Sequence, residues 1–163
     1  KQDIYGEVIS ISRSDWKREV NNVVKDWVVL NLTCEGNIAS ASHWNECKKI
    51  EDAMHRLAKR FPHIKFVSIP STSAIENWPS DNLPTVFLYK DGSMQHQLIG
   101  LQDLGGMSDD RLEWILAKSY GILRTSLPQE PPKSVQDKYH FNARGMVGSL
   151  ATFAESSDQT DVL

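Results

Sequence analysis

Few side chains in this 163-residue chain have the chemistry to act on another molecule. There are two cysteines, Cys34 and Cys47, and five histidines. A dithiol redox centre needs Cys-x-x-Cys at a helix N-terminus. There the helix dipole lowers the first thiol's pKa, and the second thiol resolves the mixed disulfide. At the start of the longest helical stretch the chain instead reads Ser40-Ala41-Ser42-His43-Trp44-Asn45. Cys34 lies at a strand end and is the candidate reactive thiol, although no activating group is evident beside it. Cys47 falls about a turn inside the helix on its apolar stripe, where a small core residue is expected. A Cys34–Cys47 disulfide is geometrically conceivable, but an intracellular setting keeps thiols reduced. Two free cysteines are therefore the expectation. His43 and Cys47 stand at i, i+4 and could share a metal with Cys34. A closed zinc site needs four ligands, so none is expected. His55, His63, His96 and His140 are scattered and acquire no role.

Other motifs dissolve on physical grounds. Asn31-Leu32-Thr33 fits a glycosylation sequon but lies in a stretch that reads as a central strand, where no glycan fits. Asp109 and Asp110 resemble a catalytic carboxylate pair, yet they sit where a helix N-terminus favours negative charge. There is no glycine-rich phosphate loop and no Gly-x-Ser-x-Gly. No cofactor or catalytic residue is expected.

The elements that would position these residues are legible from hydrophobic period and turn chemistry. Tyr5 to Ile11 alternates as a half-buried strand does. Ser12 and Asp15 resemble a capping box ahead of Trp16, Val20, Val23 and Val24 at helical spacing. Trp27 to Thr33 is apolar almost throughout, as befits a strand covered on both faces. The long helix carries Trp44, Cys47, Ile50, Met54, Leu57 and Phe61 on its buried stripe, and Pro62 marks its end. Ile64 to Ile69 is a further strand, which implies a parallel βαβ unit. Pro70 to Asn82 has room only for a short helix. Thr85–Tyr89 and Met94–Ile99 flank Asp91-Gly92, a strong hairpin signal. Gly105-Gly106 breaks the chain, Ser108 caps a last helix carrying Leu112, Ile115, Leu116 and Tyr120, and Gly121 closes it.

Composition sets the outer limits. With 18 basic and 21 acidic side chains the net charge is -3. The pI near 5.9 argues against a dedicated nucleic-acid binder. The longest apolar run, Trp27 to Leu30, is far short of the roughly 20 residues that span a bilayer. Two cysteines are too few for a secreted disulfide scaffold. The chain starts at Lys1, as a trimmed or processed form would, and shows no signal peptide, so a soluble intracellular protein is expected. All five tryptophans precede Gly121. Beyond it come Pro128, Pro131, Pro132, many Ser and Gln, and an acidic end with Glu155, Asp158 and Asp161. The expected organisation is a domain over residues 1–121 and a Pro/Ser-rich, mostly disordered tail over 122–163. Within that tail, Tyr139 to Val147 is less polar and suited to docking. Asp161-Val162-Leu163 is too short a signal to assign to a PDZ-type groove.

The element order β-α-β-α-β, hairpin, α resembles the thioredoxin fold, and Leu83-Pro84-Thr85-Val86-Phe87-Leu88-Tyr89 resembles its cis-proline strand. Only a tertiary amide makes a cis bond accessible, at roughly 0.5–1 kcal/mol, so Pro84 is the expected cis residue. The fold class implied is α/β, with a central mixed sheet of about five strands flanked by helices. A narrower resemblance rests on Tyr5-Gly6-Glu7-Val8, on Leu57-Ala58-Lys59-Arg60-Phe61-Pro62 with Lys65-Phe66-Val67, and on Asn82-Leu83-Pro84-Thr85. Leu98-Ile99-Gly100, Gly105-Gly106-Met107 and Leu112-Glu113-Trp114 add to it. Together these resemble the phosducin-like family over residues 4–127, nearest to phosducin-like proteins 2 and 3, the group that includes the viral inhibitor-of-apoptosis-associated factor. The resemblance implies a non-enzymatic cytoplasmic co-chaperone that binds the eukaryotic chaperonin and modulates folding of actin, tubulin and related clients. Other family members bind G-protein βγ dimers. The family's helical region ahead of the domain is absent, and the loop from Cys34 to Ser42 is longer than expected. A monothiol redox protein using Cys34 is the enzymatic alternative.

Overall fold

The computed structural model describes residues 4–35, 40–106, 108 and 110–132. Five strands form one mixed sheet: β1 (Ile9–Ser10), β2 (Trp27–Thr33), β3 (Lys65–Pro70), β4 (Thr85–Lys90) and β5 (Ser93–Ile99). Their spatial order is β1-β3-β2-β4-β5. β3 runs parallel to both β1 and β2, whereas β4 is antiparallel to β2 and to β5. The parallel β2–β3 pair is joined by α1 (Ala41–Arg60), so the expected βαβ unit is present. Asp91 and Gly92 both take positive φ, 51° and 79°, which suits the primed turn of a two-residue hairpin between β4 and β5.

Strand alternation sorts the core into two layers. Val29, Phe66, Val86, Leu88 and Leu98 pack against Ile50, Met54 and Leu57 of α1 and against Leu112 and Leu116 near the end of the fold. On the opposite face Val28, Leu30, Leu32, Val67, Ile69 and Phe87 meet Trp16, Val20, Trp78 and Leu83. β2 thus buries side chains on both faces, which is why it reads as a continuous apolar run. The layer over α1 is completed by α3 (Gly100–Leu104), by α4 (Arg111–Trp114) and by a wider helical turn, Ile115–Ser119, that continues α4.

Several expectations need correction. The first strand is only Ile9–Ser10, because Tyr5 is held elsewhere: its amide donates to the Pro62 carbonyl at 2.9 Å. The first helical segment buries Trp16 and Val20 but leaves Val24 exposed, since Lys25 turns the chain with φ 72°. Trp44 is 40% exposed and belongs to neither core layer; the Lys48 ammonium lies 4.8 Å over its ring instead. Ala53 and Ala58 take part in the α1 stripe, where small side chains let the helix approach the sheet. Ser108 supports the last helix with its carbonyl, which accepts from the Arg111 amide at 3.1 Å, and no side chain caps α4. Asp109 lies outside the described residues.

Packing also continues past Gly121, the boundary that composition suggests. Ile122 and Leu123 are buried in the α1-side layer. Beyond them Thr125 Oγ1 donates to Glu113 Oε2 at 2.6 Å, and Trp114 Nε1 donates to the Pro128 carbonyl at 3.1 Å. Residues 122–132 therefore form a strap along α4. Tyr139 to Val147 and Asp161 to Leu163 lie outside the described residues. Among the described residues no helix is long and apolar enough to cross a membrane.

Candidate functional site

The sequence-derived candidates converge where β2 ends and α1 begins. Ser40 is the N-cap of α1, with extended backbone, and its Oγ accepts from the His43 amide at 3.2 Å. The same oxygen lies 2.7 Å from His43 Nδ1. A hydroxyl and an imidazole thus occupy the turn where a dithiol centre would stand, and the hydroxyl satisfies one of the free amides that every helix start leaves.

Cys34 and Cys47 are joined in a disulfide, with Cα atoms 6.7 Å apart. This corrects the expectation of two free thiols and of Cys34 as a lone reactive one. Cys34 lies just past the last residue of β2, and Cys47 sits about two turns into α1, so the strand–helix crossover brings them within bridging distance. Cys47 is 3% exposed, buried as expected, whereas Cys34 is half-buried. With Cys47 bonded to Cys34, the His43/Cys47 pair gains no third ligand. Among the described residues no three His, Cys, Asp or Glu side chains gather around one point.

Cys34 opens onto a cavity of about 340 Å³ between the sheet and α1. Ser10, Ser68 and Asn31 form its floor, adjacent in register across β1, β3 and β2. Ser10 Oγ and Ser68 Oγ are 3.1 Å apart. Lys48, Glu51 and His55 of α1 form its wall, with Lys48 Nζ 3.5 Å from Glu51 Oε1. This polar row interrupts an otherwise apolar sheet face. Asn31, itself 3% exposed, continues the row beside Val86 of β4, and Val8 and Met54 complete the cavity's lining.

The Leu83–Pro84 peptide is cis. The Pro84 carbonyl accepts from the Gly100 amide at 2.8 Å, and Trp78 Nε1 donates to Thr85 Oγ1 at 3.1 Å. Gly100 has φ 70°, and a Cβ there would meet the Asp81 carbonyl at 3.3 Å, so the backbone approach depends on glycine. Leu83 and Cys47 belong to the same buried cluster, so the Pro84 loop and the start of α1 share one support.

Two ion pairs between distant parts of the chain lie away from this groove, and residue spacing signals neither of them. Arg60 at the end of α1 makes a bidentate pair with Glu113, at 2.6 and 3.2 Å. Burial pushes the Glu113 carboxyl up, and the hydrogen bonds from Arg60 and Thr125 outweigh it, so its pKa is lowered on balance. On the other side Lys65 Nζ reaches Glu19 Oε1 at 2.6 Å, and that hydrogen bond is the main cause of the lowered Glu19 pKa. The Tyr5 hydroxyl donates to Asp26 at 2.9 Å; burial, then that bond, pushes its pKa up to about 12.

Solved structures share the fold. The short form of thioredoxin f from spinach chloroplast is 18% identical and superposes with a TM-score of 0.52, over 72% of this chain and 97% of that one. A chain of the ferredoxin–thioredoxin reductase and thioredoxin f2 complex is 13% identical with a TM-score of 0.54, over 71% and 97%. At these identities the likeness establishes the fold alone. No family model matches the chain. Among curated proteins, phosducin-like protein 3 of Danio rerio is 36% identical over 97% of this chain and 64% of its own length. Phosducin-like protein 3 of Mus musculus is 38% identical over 88% and 58%, and phosducin-like protein 2 of Drosophila melanogaster 35% over 82% and 54%. The chain therefore spans roughly three-fifths of the length of such relatives, or somewhat less. Over the length it spans, the chain is similar to phosducin-like proteins 2 and 3 and carries a thioredoxin-like fold.

Proposed function

We propose that this chain is a non-catalytic co-chaperone of the cytoplasm that binds the cytosolic chaperonin and modulates folding of actin- and tubulin-type clients. The observation that carries the reading is kinship with phosducin-like proteins 2 and 3 along most of the chain. Two features of the site accord with it. The start of α1 holds a capping serine and a histidine in place of a dithiol pair, so the usual redox use of this fold has no chemistry to run on. Trp44 stands exposed on the first turn of α1, and an exposed tryptophan is the residue type that most often anchors a protein interface.

The test is affinity capture of the chain from eukaryotic cytosol, read by mass spectrometry. Recovery of chaperonin subunits in proportion to bait is the expected result. Recovery of neither chaperonin nor client overturns the proposal. Recovery of G-protein βγ dimers alone would replace it with the other partner class of the family.

A further inference from the structure

The two residues joined by the Cys34–Cys47 bond are unequally protected. Cys47 is buried at 3% exposure, while Cys34 is half-buried at the lip of the 340 Å³ groove. That volume lies in the small-molecule range. Its lining suits a short peptide: Ser10, Ser68 and Asn31 offer hydroxyl and amide partners, and Lys48 offers a cation for a carboxylate. Glu51, at 3.5 Å from Lys48, offers the opposite charge for an ammonium group.

We propose that this groove admits a low-molecular-weight peptide thiol of the glutathione type, which opens and closes the Cys34–Cys47 bond as a reversible latch on α1. The thiolate attacks the accessible Cys34 Sγ. A new sulfur–sulfur bond forms there, the bond to Cys47 Sγ breaks, and the electron pair leaves on Cys47 sulfur, which takes a proton. A second thiolate attacks the small-molecule sulfur of the mixed disulfide and releases Cys34 as a thiolate. The balance is two small thiols oxidised to one disulfide and the protein disulfide reduced by two electrons to two thiols. The oxidised small disulfide drives the reverse sequence.

The latch matters because few contacts among the described residues hold the first two turns of α1. Trp44 is outside both core layers, and the tertiary support there includes Cys47 and the Gly106 amide, which donates to Glu46 Oε1 at 3.0 Å. Opening the cross-link returns conformational freedom to the segment between the cysteines. The expected effect is a looser helix start and altered presentation of Trp44. This is a stoichiometric switch rather than turnover, and it stands whether or not the chaperonin reading does.

The test equilibrates the intact chain with mixtures of reduced and oxidised glutathione, quenches with a maleimide and counts adducts by mass. Because the chain has two cysteines, the bonded state takes no maleimide, the reduced state takes two, and the mixed disulfide takes one with a glutathionyl mass beside it. The expected result is a transition between these states within the range of glutathione mixtures. Amide exchange over residues 42–47 should accelerate at least about 10-fold on reduction. In Cys47→Ala the glutathionyl adduct should form on Cys34 at least about 10 times faster than it forms on Cys47 in Cys34→Ala. The proposal is overturned if the bond resists every glutathione ratio, if Cys47 is the faster site, or if reduction leaves exchange over 42–47 unchanged. The first and last readouts need no variant.

Discussion

Glu113→Gln isolates the device that holds the strap of residues 122–132 to the domain. The carboxylate is 4% exposed and receives three hydrogen bonds: two from Arg60 at 2.6 and 3.2 Å, and one from Thr125 at 2.6 Å. An amide of the same shape retains one acceptor oxygen, and because Arg60 donates to both oxygens its NH2 group faces a guanidinium N–H whichever way it turns, donor against donor. Hydrogen bonds to charged groups contribute about 1.5–3 kcal/mol. The Arg60 side chain is 55% exposed and regains water, which discounts the loss. The net cost expected is about 1–2 kcal/mol, or a Tm drop of about 2–8 °C for a chain of this size. Urea and thermal unfolding read the stability. Amide exchange at Leu127, whose N–H donates to Thr125 Oγ1 at 3.0 Å, reads the strap. The carboxyl also carries an acid signature. Its folded pKa lies below the unfolded value, so its stabilisation is complete above the ordinary glutamate pKa of about 4.3 and fades as pH falls through the lowered one. The Gln variant should lose that part of the acid slope. A stability change under about 0.5 kcal/mol with Leu127 exchange unaltered would refute the reasoning.

Three further perturbations test separate parts of the fold. Gly92→Ala places a Cβ 2.6 Å from the Asn21 carbonyl at a φ of 79°, and should cost about 1–3 kcal/mol in chemical denaturation, beyond the ~0.5 kcal/mol of ordinary surface changes. His96 is stacked between Trp27 and Tyr120, with ring centroids 6.5 and 4.1 Å away, and burial lowers its pKa. The unfolded state therefore binds the proton more readily. Stability from this site is full above about pH 6.5 and declines as pH falls, and His96→Phe should flatten that limb of a pH–stability profile. Trp44→Ala should leave the unfolding free energy within about 0.5 kcal/mol, since the ring is exposed, yet reduce capture of chaperonin subunits from cytosol. Unchanged capture would remove Trp44 from the proposed interface.

Much of the architecture was legible before any coordinates, for reasons that are local. β2 announced itself as a two-face strand through Trp27 to Thr33, and the hairpin through Asp91-Gly92, whose backbone takes the two positive φ values that side chains resist. The α1 stripe was correct from Cys47 to Leu57 because helical period reports which face is buried. It failed at Trp44, because period does not say how far the sheet extends beneath the first turn. The packing runs past the compositional boundary for a similar reason. Composition turns polar after Gly121, yet Ile122 and Leu123 are enough to continue the core and bring Thr125 to Glu113.

The amino-acid sequence by itself determined the order of elements, the position of Pro84, the lack of a Cys-x-x-Cys and the likeness to phosducin-like proteins, since each depends on neighbouring residues or on motif order. Tertiary structure alone decided what lies opposite what. Arg60 and Glu113 stand 53 residues apart, Lys65 and Glu19 46 apart, and neither pair has a spacing that signals contact. The cysteines are the clearest instance. Their separation of 13 residues permits a bridge or forbids it according to how the end of β2 meets the second turn of α1. That meeting is set by the burial of two sheet faces at once, a property of the assembled core rather than of any segment.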